Sequence, residues 1–373
     1  MNKYNLIKKK FYHLVFEGTP YEIGQQIAEF VNKIKKSARN FIISGETDPL
    51  KLGFSDFEEI QSYMDEFCPS INNEIQGLAD GLDVDIKKIN YYDWSLSGPP
   101  GYFGCTHFAV LGKATSNNHT LSGRSYEWDA EHEDFVFYTT HVNGKPRHMG
   151  FSEIILGRTE GLNEHGLAIT MSNGGIFEKK LENGRGVMFW LIIRSILENC
   201  KTIDEASKFI KKVPVLGFFN FIISDKNEIL LVECSDGVKG FKKLGSSSEE
   251  FHLSATNSYT LPETIKYNNF NVRIRLNGSR FRRGLVENEL TKDHPKITKE
   301  TIRRILSKNL PRGVCAHWYS TGFGTDWSLI FDNTDPHAEV CFGAPTHNEW
   351  RKFTFDTPAG IQEYDVILPD LQE

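Results

Sequence analysis

An α+β fold, with stacked sheets covered by helices, is what the order of sequence patterns predicts. Roughly the first hundred residues carry helical periodicities, and the texture turns to strands at Cys105. From there the chain reads as strands, two helices, strands, two helices, strands. Blocks of this kind suit layers packed face to face rather than the strand–helix alternation of a parallel sheet.

The elements follow in order. A short strand over 13–16 precedes Thr19-Pro20-Tyr21-Glu22, a capping box with proline at the first helical position, and Ile23, Ile27, Phe30 and Ile34 then share one face, predicting a helix over 20–36. Ser55-Asp56-Phe57-Glu58 opens a second helix that ends before Pro69. Ser70 opens a third, with Ile71, Ile75, Leu78 and Leu82 inward and a stop near Gly81. A short helix over 85–89 leads into a loop rich in glycine, proline and aromatics over 97–104. Strands are predicted over 106–111 and 120–128 as a hairpin, then over 135–142 and 147–155 around Asn143-Gly144, a strong hairpin signal. Another strand, 167–171, ends in Ser172-Asn173-Gly174-Gly175. Helices over 186–199 and 202–212 follow; the first is apolar nearly all round, hence buried. A hairpin over 218–224 and 229–234, a strand over 251–257, helices over 280–290 and 297–306, and strands over 316–320, 325–331 and 339–342 complete the chain.

Composition narrows the function. A formal net charge of -6 and a pI near 6.1 leave no basic field for nucleic acid. The most apolar run, 187–197, contains Arg194 and is too short for a membrane span. Lys8-Lys9-Lys10 follows rather than precedes the first apolar residues, which is not a secretory leader, so a cytoplasmic protein is expected. The six cysteines, Cys68, Cys105, Cys200, Cys234, Cys315 and Cys341, form no Cys-x-x-Cys pair, which argues against zinc sites and a disulfide framework. No metal or cofactor is expected. Oligomeric state is left open.

Cys105 stands apart from the other thiols because a Gly/Pro loop delivers it, behind Gly104, to the first position of an apolar strand. Gly123-Arg124-Ser125-Tyr126-Glu127-Trp128-Asp129 lies at the end of the paired strand, and the hairpin returns it toward Cys105. An arginine beside a thiol favours thiolate, and a carboxylate orients an amine or takes a proton. Asn173 and Asn257 each end an apolar strand, where turn chemistry competes with an oxyanion-hole or anchoring role. Ser279-Arg280-Phe281-Arg282-Arg283 opens a helix. Arg282 and Arg283 read as a solvated face, whereas Arg280 in a first turn is poorly placed for the helix dipole and calls for another partner. Among the histidines, His107, His165, His252 and His317, none has a clear claim as base, which favours a cysteine that carries its own base.

At these residues the sequence resembles the N-terminal nucleophile hydrolases, specifically the penicillin acyltransferase-like branch (acyl-CoA:6-aminopenicillanic acid acyltransferase), with choloylglycine hydrolases and penicillin V acylases as relatives. Gly104-Cys105-Thr106, Gly123-Arg124 to Trp128, the Asn163-Glu164-His165-Gly166-Leu167 stretch running to Asn173, Thr256-Asn257 and Ser279-Arg280-Phe281 occur in the family's order. Gly18-Thr19-Pro20-Tyr21 and Gly77-Leu78-Ala79-Asp80-Gly81 resemble that branch's propeptide. The resemblance implies a four-layer αββα sandwich over 105–373, preceded by a mostly helical propeptide region over 1–104. It implies a self-cut between Gly104 and Cys105 that frees an α-amine, with unperturbed pKa of about 7.7 to 8.0, as the general base.

Carried over in the same way, Cys105 attacks a substrate amide and holds the acyl group as a thioester. Arg124 tunes the thiolate, Glu127 holds the α-amine, Asn173 and Asn257 stabilise the oxyanion and orient the amine, and Arg280 braces the network. Two departures stand out. Glu127 occupies a position where relatives carry aspartate, so Asp129 shares candidacy for the carboxylate role, and Ser125 replaces a common asparagine. Tyr102, Phe103, Tyr126, Trp128 and Trp318 suit an apolar or aromatic acyl group as well as they suit core. The implied reaction is cleavage of a linear non-peptide amide of a small molecule, such as an N-acylated amine or amino acid, with acyl transfer to an amine as a variant. The alternatives are an uncut, inactive binding or scaffold protein on the same fold, an acyl-CoA-dependent N-acyltransferase, and a papain-like hydrolase using His317 or His252 with an asparagine.

Overall fold

The computed structural model describes residues 4–43, 45–97, 104–153, 155–174, 185–235, 237–268 and 273–372. Two sheets lie at its centre. The larger, ten-stranded among the described residues, runs in the order Val238–Leu244, Ile229–Ser235, Phe219–Ser224, Ala168–Asn173, Gly161–Asn163, His148–Glu153, Val136–Val142, Tyr4–Gly18, Gly360–Leu371, with Gly157–Arg158 pairing His148–Glu153 off the path. The smaller, seven-stranded, runs His252–Ala255, Gly104–Val110, Leu121–Trp128, Phe323–Asp332, His337–Phe342, Trp350–Phe353, with His317–Trp318 joined to Phe323–Asp332.

The strands alternate their side chains between two cores, as a pleat of period two requires. Phe11, Phe137, Phe151 and Leu162 of the larger sheet meet Cys105, Tyr126, Trp327, Leu329 and Phe342 of the smaller one. The outer face of the larger sheet packs on the helices Pro20–Lys33, Phe57–Phe67, Ile71–Leu82, Phe189–Asn199 and Ile203–Lys212. The outer face of the smaller sheet, through Phe108, Val110, Leu121 and Ile330, packs on Arg273–Asp293 and Lys299–Leu306. The layers are therefore α, β, β, α, the expected sandwich.

The amino-terminal region differs from the expectation in how it is used. The strand predicted over 13–16 spans Tyr4–Gly18 and lies inside the larger sheet, antiparallel to Gly360–Leu371 and parallel to Val136–Val142. Helix Ile71–Leu82 ends one residue past Gly81, where a stop is expected. Glycines let it pack closely on Pro20–Lys33: a β-carbon at Gly77 would stand 2.0 Å from the Tyr21 carbonyl oxygen, and one at Gly24 of that partner helix equally close to that of Glu74. This helix is tied to the rest by a buried ion pair, Glu74 with Arg194, whose guanidinium also donates to the Leu156 carbonyl at 2.7 Å. Among the described residues no helix is long and apolar enough to cross a membrane.

Candidate active site

Cys105 sits one residue into the strand Gly104–Val110, wholly buried. In the pairing with Leu121–Trp128, Gly104 lies opposite Glu127, Cys105 opposite Tyr126, and His107 opposite Arg124. That register sorts the side chains. Cys105, His107, Arg124 and Tyr126 face the space between the sheets, while Thr106, Ser125 and Glu127 face the outer helices.

Three groups grip the cysteine. Arg124 Nη2 stands 3.5 Å from Cys105 Sγ. The Cys105 main-chain nitrogen donates to Asn257 Oδ1 at 3.1 Å. Arg282 Nη1 donates to the Cys105 carbonyl at 2.7 Å and to Thr106 Oγ1 at 3.0 Å, while its Nη2 donates to Asn257 Oδ1 at 2.7 Å. Asn257 thus accepts from both the nitrogen of the nucleophile and the arginine that holds its carbonyl. Its own amide donates to the Asn173 carbonyl at 3.2 Å, which brings the two predicted asparagines together.

The loop after His252–Ala255 is fixed from several sides. Asn220 Nδ2 donates to the Thr256 carbonyl at 2.7 Å, and Thr256 and Ser258 hydroxyls meet that of Ser279 at 2.7 and 2.8 Å. Buried Glu233 accepts from the amides of Thr260 and Leu261 at 2.7 and 2.9 Å. A buried carboxylate bound by main-chain N–H groups anchors a loop firmly, so the position of Asn257 is preset.

Electrostatics set the protonation states. Burial pushes the Cys105 thiol up to about 12 against the lowering field of Arg124. Arg124 is itself paired, within the same buried layer, with Glu160 at 2.8 Å, and Glu160 also accepts from Trp327 Nε1 at 2.9 Å. Burial lifts the Glu127 carboxyl to about 7, and Arg282 and the Ser125 hydroxyl draw it back. Glu127 Oε1 accepts from Ser125 Oγ and, at 3.3 Å, from Thr325 Oγ1. A bulge after Thr325 leaves Asp326 beside this group, and burial holds its carboxyl far above the usual range, with Glu127 adding to the effect.

The other sequence-predicted residues fall as follows. Tyr126 packs in the inter-sheet core behind the thiol, stacked on Trp327 with centroids 3.9 Å apart. Trp128 is half-buried at the strand end, opposite Gly324. Asp129 lies beyond it in a turn, accepting from the Glu131 amide at 3.1 Å and pairing with His132 at 2.9 Å, apart from the grip on Cys105. Tyr102 and Phe103 lie outside the described residues.

Arg280 is a correction: it is exposed, and Arg282 is the arginine in the cluster. The helix does not open at Ser279 but runs over Arg273–Asp293. At about 100° per residue, two positions along a helix point to nearly opposite sides, so Arg280 and Arg282 cannot both face the sheet. A signal for Arg282 was present, since Ser279, Arg282, Val286 and Leu290 recur at helical spacing and are all buried.

No histidine takes the role of base to Cys105 among the described residues. His107 is buried between Thr170 Oγ1 at 2.8 Å and Ser172 Oγ at 3.0 Å, and burial depresses its basicity. His317 Nε2 lies 3.6 Å from the Sγ of a different cysteine, Cys315, and the same nitrogen meets Asn309 Oδ1 at 2.9 Å. In a papain-like triad the thiol and the amide engage opposite ring nitrogens, so this arrangement is not one. Among the described residues no three His, Cys, Asp or Glu side chains are grouped to hold a metal ion.

A four-layer sandwich with a gripped thiol at the start of a central strand defines the class, an N-terminal nucleophile hydrolase fold. The family model for acyl-coenzyme A:6-aminopenicillanic acid acyl-transferase matches residues 114–347, and the chain belongs to that family. The matched stretch begins downstream of Cys105. No curated protein matches the chain.

Solved structures similar to it include an N-acylethanolamine-hydrolyzing acid amidase ortholog of Caenorhabditis elegans, 13% identical, with TM-score 0.44, covering 61% of this chain and 93% of that one. Penicillin V acylase from Agrobacterium tumefaciens is 16% identical, with TM-score 0.43, over 69% and 90%. A variant of conjugated bile acid hydrolase from Clostridium perfringens is 13% identical, with TM-score 0.46, over 72% and 99%.

Proposed function

We propose that the chain cuts itself between Gly104 and Cys105 and then cleaves a linear, non-peptide amide through an acyl-thioester on Cys105. The observation that carries this reading is the threefold hold on one residue: thiol by Arg124, nitrogen by Asn257, carbonyl by Arg282. A structural cysteine needs none of these, and a nucleophile whose own nitrogen becomes the base needs all three.

In the cut, the Sγ–C bond to the Gly104 carbonyl carbon forms, the C–N bond breaks, and the thiol proton passes to the Cys105 nitrogen. Water then adds its hydroxyl to the acyl carbon and its proton to sulfur. In turnover the freed α-amine, still beside Asn257 Oδ1, takes the thiol proton and delivers it to the leaving amine. Arg124 stabilises the thiolate, Arg282 keeps the first residue in place, and Asn173 and Asn257 serve the oxyanion and the amine. Glu127 acts through Arg282 rather than as the first acceptor of the amine. Acyl transfer shares every step up to the thioester and differs only in the acceptor; family membership supports it as the variant.

The test is to trap the intermediate. Incubation with N-acyl amides, N-acyl amino acids and acyl-CoA, followed by acid quench, is expected to add one acyl mass to the fragment that begins at Cys105. An unmodified fragment throughout, or acylation that persists in Cys105→Ala, would contradict the reading.

A further inference from the structure

Gly104 does not need to be glycine for its backbone, because it lies in an extended strand paired with Glu127. It needs to be glycine because of Phe323. A β-carbon at position 104 would stand 2.5 Å from Cε2 and 2.6 Å from Cζ of that ring, well inside van der Waals contact. The ring is partly exposed and braced on one face. Phe323 opens the strand Phe323–Asp332, pairs with Trp318, and stacks on it at 6.4 Å and 22°. Trp128, opposite Gly324, flanks the same strand ends.

We infer that Phe323 is the wall of the acyl site, and that it selects acyl groups whose α-carbon is an unsubstituted CH2. The inference rests on the self-cut proposed above. In that step the Gly104 carbonyl carbon is the first acyl carbon that Cys105 receives, so the Gly104 Cα occupies the place of a substrate's α-carbon. A substituent there, in the position of an L side chain, meets the Phe323 ring. Straight-chain and arylacetyl-type acyl groups pass. Acyl groups branched at that position are excluded, and these include every L-aminoacyl group except glycyl. Peptides are thereby disfavoured as acyl donors by shape alone, which gives the non-peptide specificity a physical source. A substituent on the opposite side of the α-carbon does not meet this wall, so the exclusion is enantioselective.

Two arms test this. In the first, self-cutting is followed by intact mass in the unaltered chain, in Gly104→Ala, and in Gly104→Ala combined with Phe323→Ala. Gly104→Ala is expected to cut at least about tenfold more slowly, as overpacking against a held ring requires, and removal of the ring is expected to restore the rate. In the second, the fragment beginning at Cys105 is acylated with p-nitrophenyl 3-phenylpropanoate and with each enantiomer of its 2-methyl derivative. The enantiomer whose methyl takes the L side-chain position is expected to react at least about tenfold more slowly than the other two esters, and Phe323→Ala is expected to erase that gap. Equal rates for the three esters, or a Gly104→Ala defect that Phe323→Ala leaves unchanged, would overturn the inference alone. An unaltered chain that never cuts would overturn the proposed function, and the inference with it.

Discussion

Glu160 governs Cys105 without touching it. Its carboxylate, buried with Arg124, neutralises the guanidinium that faces the thiol, so that burial dominates and the thiol stays protonated. Removing that charge in Glu160→Gln should leave Cys105 as the nearest anion available to Arg124. Alkylation of Cys105 as a function of pH, read by peptide mass, should then shift downward by about one unit or more; an unchanged profile would place Glu160 outside the site. Glu127 carries a pH dependence of the opposite origin. Buried, and without a cation at hydrogen-bond distance among the described residues, it keeps its proton up to about pH 7 in the folded chain and loses it near 4.5 when unfolded. The folded state therefore binds more protons between those values, and stability should fall as pH rises through them. Denaturant midpoints measured from pH 4 to 8 should flatten in Glu127→Gln. The third test separates two arginines. Arg282→Met should slow self-cutting by more than about tenfold, since it frees the Cys105 carbonyl and takes one donor from Asn257 Oδ1, which keeps the Cys105 nitrogen, whereas exposed Arg280→Ala should cut as the unaltered chain does. The sequence pointed to Cys105, Glu127 and both asparagines because each sits at or near a strand end with chemistry to offer, and to Arg124 because the hairpin returns its strand toward Cys105. It missed Glu160, since a buried partner supplied by the other sheet leaves no local pattern, and it chose the wrong arginine because the helix start was misplaced.

Among the elements, the amino-terminal strand has the largest consequence. It is a member of the larger sheet, flanked by Gly360–Leu371 along its length and by Val136–Val142 over its second half. A cut at Gly104 should therefore not release the amino-terminal piece. Size-exclusion chromatography in native buffer should give one peak containing both fragments, which separate only in denaturant; early dissociation would contradict the structure. The helices of this region were legible from their capping boxes, and Thr19 and Glu22 form the predicted reciprocal cap. Two of the missed strands share a physical reason. Val238–Leu244 and Gly360–Leu371 are edge strands, the first carrying Lys239, Lys242 and Lys243 and the second Pro369. Charge and proline protect sheet edges, and they also blur the alternation by which strands are recognised. Residues 4–11 pair on one side only, and their Lys8-Lys9-Lys10 run hid them in the same way.

At the scale of the whole molecule, the stacked sheets explain why the site works as one unit. Cys105 comes from the smaller sheet and Asn173 from the larger; Asn257 arrives on the loop after His252–Ala255, and Arg282 on the outer helix layer. The block order of the sequence made the four layers legible, since it is a property of the chain's order, whereas convergence of four distant segments on one residue is a property of packing. The central claim is that this packing prepares a chain to cut itself. Intact mass under denaturing conditions, after prolonged incubation of the unaltered chain and of Cys105→Ala, tests it most directly. The account predicts two fragments beginning at Met1 and Cys105 for the former and full-length protein for the latter; an unaltered chain that stays whole, or a Cys105→Ala chain that cuts, would contradict it.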